Sequence, residues 1–286
     1  MNCLVQHYTI AICTQGKNPN LSSAISSLLQ IKKSTKYEIE ILVVLNSSRP
    51  NIETSSDIRV ILEPTLGYSS VRNTALKSAK VGSSLIFIDD DEIPSKTWFE
   101  NLVLKHEKYN DEIIVGPVYP YQSDLLEKKS YRSQFTQLYK SRPDEAVLNQ
   151  GATANMLIPA SLIGQDITYF DLHFNQSGSE DTDFCFRMRK AGYMIRYAKD
   201  AAILELETDN KFDLDYINKR FIRDVANYSV VLRRNMGPIR IFYRFLTLTF
   251  RIVIFGVLGI FYNKHSIKFE AYCASFICLV TGKVRH

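Results

Sequence analysis

Apolar residues follow two alternating rhythms along the first two hundred positions. Short β-branched and aromatic runs at 8–13, 38–45, 58–62 and 85–88 read as strands, each followed by a polar or Gly-containing stretch. Between the first two, Leu21, Ala24, Ile25, Leu28 and Leu29 recur at helical spacing, and 69–79 fits a second helix. A helix over 97–109 with the chain's only tryptophan, Trp98, a strand over 113–119 and a small-then-apolar stretch over 150–158 come next. A helix then opens near Ser179, with Phe184 and Met188 four apart, and Arg196-Tyr197 and Ala201 to Leu204 continue as a strand. Strands alternating with helices at this spacing predict an α/β fold, a mostly parallel sheet with helices on both faces. Residues 120–148 break the rhythm. Their Tyr121, Tyr131, Phe135 and Tyr139, spread among charges, fit either an acceptor-facing insertion or a small packing cluster.

The polar positions that matter most sit where the strand at 85–88 ends, because Asp89, Asp90, Asp91 and Glu92 follow it at once. Ligands of open α/β sheets bind beyond the carboxyl ends of the strands. Adjacent carboxylates repel and need a cation or donors to ionise together, and hard oxygen ligands of this kind suit Mg2+ or Mn2+. A solvated acidic turn is the plain alternative. At 67–73 a glycine and two serines open a helix whose first turn carries Arg72. Free N–H groups and an arginine there would suit phosphate oxygens, and an ordinary cap with a surface arginine is the other reading. At the next helix start Glu180, Asp181 and Asp183 crowd behind Gly178 and Ser179, more acid than a cap by Ser179 requires. A carboxylate so placed in a cleft can serve as general base to a hydroxyl.

Charge changes the picture for the C-terminal quarter. The net +5 hides thirteen Lys/Arg against four Asp/Glu beyond residue 210, +9, which leaves −4 for residues 1–210. From Pro238 the chain turns apolar and aromatic; 241–261 is interrupted only by Arg244 and Arg251, and a second apolar stretch covers 271–280. Uninterrupted runs this short predict a helical hairpin lying on an anionic membrane face rather than a spanning helix, with buried or dimerising helices as the alternative. Long apolar runs in the basic tail speak against nucleic acid as its partner. Five cysteines with no C-x-x-C pair predict neither a disulfide framework nor a zinc site, as in a reducing compartment. The first thirteen residues lack the pattern of a secretory signal.

The order of these pieces, Thr14-Gln15-Gly16 after the first strand, Gly67 to Asn73, Phe87 to Asp91, Asn155-Met156, and Glu180 to Phe184 with Arg187 and Gly192, resembles the family 2 inverting glycosyltransferases of the GT-A fold. The resemblance covers roughly residues 8–230. It implies a Rossmann-like GT-A sheet and transfer of a sugar from a nucleotide donor, usually a UDP-sugar, to an acceptor hydroxyl with inversion, as in bacterial polysaccharide and lipopolysaccharide synthesis. By the same resemblance, Asp91 and Asp89 would hold Mn2+ or Mg2+, with Glu205 standing where the family often has a histidine ligand. Thr14, Asn46, Arg72, Asp89 and Asp90 would face the donor, Asn155 and Glu180 the acceptor, and Asp181 would be the general base. The family's Asp after the second strand is replaced here by Leu45, so base recognition differs. Residues 217–221 lack the Gln and Trp of processive synthases, which implies addition of a single sugar. The expected organisation is a catalytic domain over 1–210 and a basic helical region over 211–286 for membrane association or dimerisation. The expected location is the cytoplasmic face of the inner membrane, with a glycan or lipid-linked acceptor. A nucleotidyltransferase and an inactive nucleotide-sugar or membrane-binding scaffold are the rival readings.

Overall fold

Burial picks out the centre of the sheet. Strand β1 (His7–Thr14) has five successive buried residues, 8–12, so both of its faces are covered. It pairs in parallel with β2 (Glu38–Leu45) and β4 (Ser84–Asp89), setting Ile10 beside Ile41 and Ile86, and β2 pairs in parallel with β3 (Ile58–Leu62). A computed structural model describes residues 7–47, 56–121, 142–206, 214–261 and 263–286 of the chain. Among them, β6 (Ile113–Val115), β8 (Asn155–Ile158) and β9 (Ile195–Tyr197) complete a seven-stranded sheet of order β3-β2-β1-β4-β8-β6-β9. It is parallel except at β8, which runs against both neighbours. A small sheet of β5 (Glu92–Pro94), β10 (Ile203–Leu206) and β7 (Val118–Tyr121) flanks it.

Helices cover both faces, as the α/β pattern requires. On one side α1 (Leu21–Ser34) and α3 (Trp98–Lys108) bury Leu21, Leu28, Trp98, Phe99 and Leu102 against β1. On the other, α2 (Tyr68–Ser78) and α4 (Glu180–Lys190) contribute Val71, Ala75, Phe184 and Met188 to a second core.

Two expected strands are each divided between the sheets. The stretch 113–119 breaks at Gly116 and Pro117, and the local chemistry explains why. A Cβ at position 116 would lie 2.2 Å from the Ala201 carbonyl oxygen, and Pro117 has no N–H to donate to a ladder. Likewise 196–204 divides into β9 and β10 through a turn that Ala201 N–H closes onto the Ala198 carbonyl. Tyr131, Phe135 and Tyr139 of the expected acceptor-facing insertion lie outside the described residues.

The C-terminal helices are α5 (Leu214–Asn235), α6 (Pro238–Phe261) and α7 (Asn263–Thr281). Instead of two equivalent helices on a surface, α7 is packed inward: Ala271, Ala274 and Cys278 are buried with Ile222, Val230 and Val231 of α5 and Phe174. α6 packs on α7 through Phe245 against Phe276 and Phe255 against Tyr272. Its opposite side, with Ile239, Phe242, Tyr243, Leu246 and Phe250, is exposed. By length and composition α6 reaches what a membrane span requires, because the helix runs continuously through Arg244 and Arg251.

Candidate functional site

The carboxyl ends of β1, β2 and β4 meet at one edge, with Cys13 in register with Asp89 and Thr14 with Leu45. The loops leaving that edge line a cavity of about 1160 Å³ whose walls include Asp89, Asp90, Asp91, Glu180, Asp181 and Glu205. The acids expected to act together are thus brought together, from β4, from β10 and from the start of α4.

Each acid is held differently. Asp90 accepts hydrogen bonds from the Thr14 hydroxyl and, at 2.9 Å, from the Asn18 amide, while Thr14 Oγ1 also accepts the Gly16 N–H at 2.8 Å. Thr14 therefore acts on the cavity by fixing Asp90. Asp91 is buried, and its carbonyl accepts the Leu206 N–H, which ties the acidic turn to β10. Glu205 lies across from Glu92 in the antiparallel β5–β10 pair. Glu92, which the sequence reading left without a role, is fully buried and accepts the Asp89 N–H at 2.7 Å. Burial first, then the charge of Asp89, pushes its carboxyl well above the usual carboxylate range. Asp89 is pushed up to about 6, chiefly by burial and further by Asp91, Asp90 and Glu205, with Arg72 opposing. Hard oxygen donors that raise one another's pKa in this way fit a divalent cation. Among the described residues no three His, Cys, Asp or Glu side chains converge as a ready-made cage. Mg2+ and Mn2+ are ordinarily held by one or two carboxylates and completed by substrate phosphates.

Arg72 joins this edge to α4. Its guanidinium donates to Glu180 Oε1 at 2.7 Å and lies 3.9 Å from Asp89 Oδ1, with side-chain exposures of 10% for Arg72 and 5% for Glu180. Burial lifts Glu180 to about 7 even against the pull of Arg72, and Glu180 Oε2 has no hydrogen-bond partner among the described residues. Asp181, the next residue, accepts Thr182 N–H through Oδ1 at 2.6 Å, and burial raises its pKa too. A carboxylate with a raised pKa, facing a cavity, is better matched to taking a proton near neutral pH than an ordinary one.

Four expectations are corrected by this geometry. Asn155 is fully buried in the core. It accepts Trp98 Nε1–H at 2.9 Å and donates to the Pro117 and Ala201 carbonyls, so its amide has no group left for an acceptor. Asn46 edges the cavity, but its amide is spent on the loop that precedes α2, on the Glu63 and Thr65 carbonyls and the Gly67 N–H. The start of α2 is not open to phosphate, because Asn175 accepts the Tyr68 N–H through its carbonyl and the Ser70 N–H through its side chain, each at 2.8 Å. Ser179 makes no side-chain cap on α4; it sits with φ +74 after Gly178 at +75, a left-handed pair that turns the chain into the helix. Asp183 is bound by Arg187 and Asn235 and holds α4 to α5.

Arg220 and Arg223 of α5 line the cavity and lie 3.7 and 3.0 Å from Asp224. Arg244 and Arg251 of α6 line it as well, a role their interruption of an apolar run did not disclose. Asn18 was missed because a single polar residue in a loop carries no periodic signal, and Glu92 was seen only as one more acid of the run after β4.

This chain is similar to the succinoglycan biosynthesis protein ExoM of Rhizobium meliloti (strain 1021), with 26% identity over 248 residues, 82% of this chain and 78% of ExoM. Its fold resembles that of GalNAc-T7, solved with UDP, GalNAc and Mn2+, at TM-score 0.59 and 14% identity over 81% of this chain and 48% of that one. It also resembles a 1–349 fragment of S. aureus TarS at TM-score 0.52 and 15% identity, over 79% of this chain and 69% of the fragment. The chain spans about half the length of GalNAc-T7, and at such identities the likeness is one of fold, the GT-A arrangement. The sequence profile of glycosyl transferase family 2 matches residues 9–163, just over half of the chain, from β1 through the acidic turn to β8. With the acid-tipped strand and most of the central sheet inside that match, the chain belongs to glycosyl transferase family 2.

Proposed function

We propose that the protein transfers a sugar from a nucleotide-sugar donor, a UDP-sugar in the first instance, to an acceptor hydroxyl with inversion, in bacterial polysaccharide or lipopolysaccharide-type synthesis. The observation that carries the reading is that the acidic edge of β4 and Asp181 of α4 line one cavity, with Arg72 bridging Asp89 to Glu180, the residue before Asp181. The similarity to ExoM supports the polysaccharide setting. Asp91, Asp89 and Glu205 are the residues that would hold Mn2+ or Mg2+, which when bound neutralises charge on a leaving diphosphate. Thr14 keeps Asp90 in place, and Arg72 keeps α4 against the acidic edge.

The acceptor hydroxyl attacks the anomeric carbon from the side opposite the leaving group, which accounts for inversion. Its proton passes to Asp181 Oδ2, the oxygen not held by Thr182. The new C–O bond forms as the bond to the diphosphate oxygen breaks, and the electron pair leaves with the nucleoside diphosphate. The buried Arg72–Glu180 pair beside Asp181 holds the base in position without itself taking the proton. We assign 1–210 to donor binding and catalysis and 211–286 to attachment at the cytoplasmic membrane face, on the strength of the exposed apolar side of α6 and the basic excess of the tail.

Calorimetric binding and nucleoside diphosphate release, run over UDP-, GDP- and dTDP-sugars with Mn2+ or Mg2+, test the reading. Asp91→Asn is expected to lose metal-dependent nucleotide binding. Asp181→Asn is expected to keep it while transfer slows by about 10²–10⁴-fold. Failure of the native chain to bind any of these nucleotides with metal present would overturn the proposal.

A further inference from the structure

The exposed side of α6 accounts for a lipid surface, but not for the two cations on its other side. Arg244 and Arg251 are seven residues apart, two helical turns, so they share one side of the helix. Both line the cavity that contains Asp181. Arg244 lies over the Tyr228 ring at 5.8 Å, and Arg251 lies over the Tyr272 ring at 5.3 Å and donates to its hydroxyl at 3.5 Å. Neither has a carboxylate within 4.0 Å among the described residues, although ion pairs are plentiful elsewhere. Arg244 Nε is buried and donates to nothing among them. A buried guanidinium donor without an acceptor is costly, and the deficit is met when an anion enters.

The cavity is electrically divided. Asp89, Asp90, Asp91 and Glu205 occupy the edge of the sheet, whereas Arg220, Arg223, Arg244 and Arg251 come from the C-terminal helices. The acidic end suits a cation with the donor's phosphates; the basic end suits a second anion. Guanidiniums are matched to phosphate oxygens by their fixed fork of donors. The helix that supplies two of them turns an apolar, aromatic side outward, with Phe242, Tyr243, Leu246, Phe250 and Val253 exposed. One molecule satisfies both sides of α6: an amphiphile with an anionic head and a long hydrocarbon chain.

We propose that Arg244 and Arg251 form the phosphate subsite for a lipid-linked acceptor, whose phosphate or diphosphate enters the cavity while its hydrocarbon chain lies along the exposed side of α6. The inference rests on the glycosyltransferase reading for calling that lipid the acceptor. The subsite places the first sugars beyond the phosphate within the same cavity as Asp181, and its volume of about 1160 Å³ exceeds what one small ligand fills.

The test is cosedimentation of the full chain with phosphatidylcholine vesicles that are undoped, doped with a polyprenyl diphosphate, or doped to equal charge with phosphatidylglycerol. The native chain is expected to bind the polyprenyl diphosphate vesicles about tenfold more tightly than either control. The double variant Arg244→Gln/Arg251→Gln is expected to lose that preference and keep its affinity for UDP with Mn2+. Arg244→Lys/Arg251→Lys, which preserves both charges, is expected to recover part of it and guards against a folding artefact. An undiminished preference in the Gln variant, equal binding to phosphatidylglycerol vesicles, or a matching loss of UDP affinity would each overturn the proposal. The last outcome would assign the arginines to the donor's diphosphate. If the native chain binds no nucleotide, the glycosyltransferase reading fails, and the vesicle preference still decides whether the lipid phosphate subsite exists.

Discussion

Replacing Glu180 by Gln isolates one buried charge whose energetic sign can be worked out. In the folded protein burial raises the Glu180 carboxyl from its ordinary 4.5 to about 7, despite Arg72. Below pH 4.5 the carboxyl is protonated folded or unfolded, and the preference of the folded state for that proton is fully present. Between 4.5 and about 7 the unfolded chain has released a proton that the folded chain retains, so stability falls as pH rises; above that window the effect is complete. At ~1.4 kcal/mol per pH unit the interval amounts to about 3 kcal/mol, and the 5% side-chain exposure calls for little discount for solvent screening. Gln cannot titrate, so E180Q should lose this part of the decline. A constant offset from altering the hydrogen bond that Arg72 donates to residue 180 is expected, and it is the slope that carries the test. Urea unfolding of both proteins at pH 5, 6, 7 and 8 in EDTA supplies it. Native and E180Q stabilities that run parallel across that range would refute the argument that Glu180 is held protonated by burial.

Two further substitutions test the corrected roles. Asn155→Leu keeps the volume but strands the Trp98 indole N–H and the Ala201 carbonyl, while the Pro117 carbonyl keeps the Ile203 N–H, at about 1–3 kcal/mol in urea unfolding. Nucleotide and acceptor affinities should hold in the same variant, and a loss of acceptor affinity at unchanged stability would return Asn155 to the acceptor side. Gly67→Ala should cost about 2 kcal/mol or more, because the new Cβ would lie 2.3 Å from Asn175 Oδ1 at a backbone φ of +142. An unfolding midpoint equal to the native one would show that Asn175 moves freely and does not close the start of α2.

What could be read from the residues was what repeats. Strands β1, β2 and β4 are runs buried on both faces, so continuous apolar sequence announces them, and Asp89 to Glu92 stand out because they end such a run. The bend at Gly116 and Pro117 was not legible as a change of sheet, since its cause is the Ala201 carbonyl some eighty-five residues later. Asn155 was misread for a similar reason. An asparagine beside a strand looks available until Trp98, Pro117 and Ala201, from three separate segments, take up its amide. The α2 start was misjudged because Asn175 lies about a hundred residues away. Arg244 and Arg251 were visible as charges but not as a pair facing inward, because α6 turns its apolar side to the outside, the reverse of a helix on a soluble core.

Arg72 shows why the cavity keeps its two ends distinct. Left alone, the acids of β4 and β10 and those of α4 would repel across the cavity and drive α4 away from the sheet edge. A single guanidinium between Glu180 and Asp89 offsets that repulsion from inside the protein wall, at 10% side-chain exposure. Lysine would bring a charge there but not a planar fork that reaches two carboxylates from one side chain. With the repulsion partly met internally, the remaining excess of acid is confined to Asp89, Asp90, Asp91 and Glu205, where an incoming cation can use it. The C-terminal helices in turn contribute four arginines to the cavity, Arg220, Arg223, Arg244 and Arg251. Ligand groups of opposite charge are then drawn to different walls of one cavity. On the proposed function, a sugar donor held by its phosphates among the acids and an acceptor held by its phosphate among the arginines would share the one cavity that Asp181 also lines, the proximity that a one-step displacement needs.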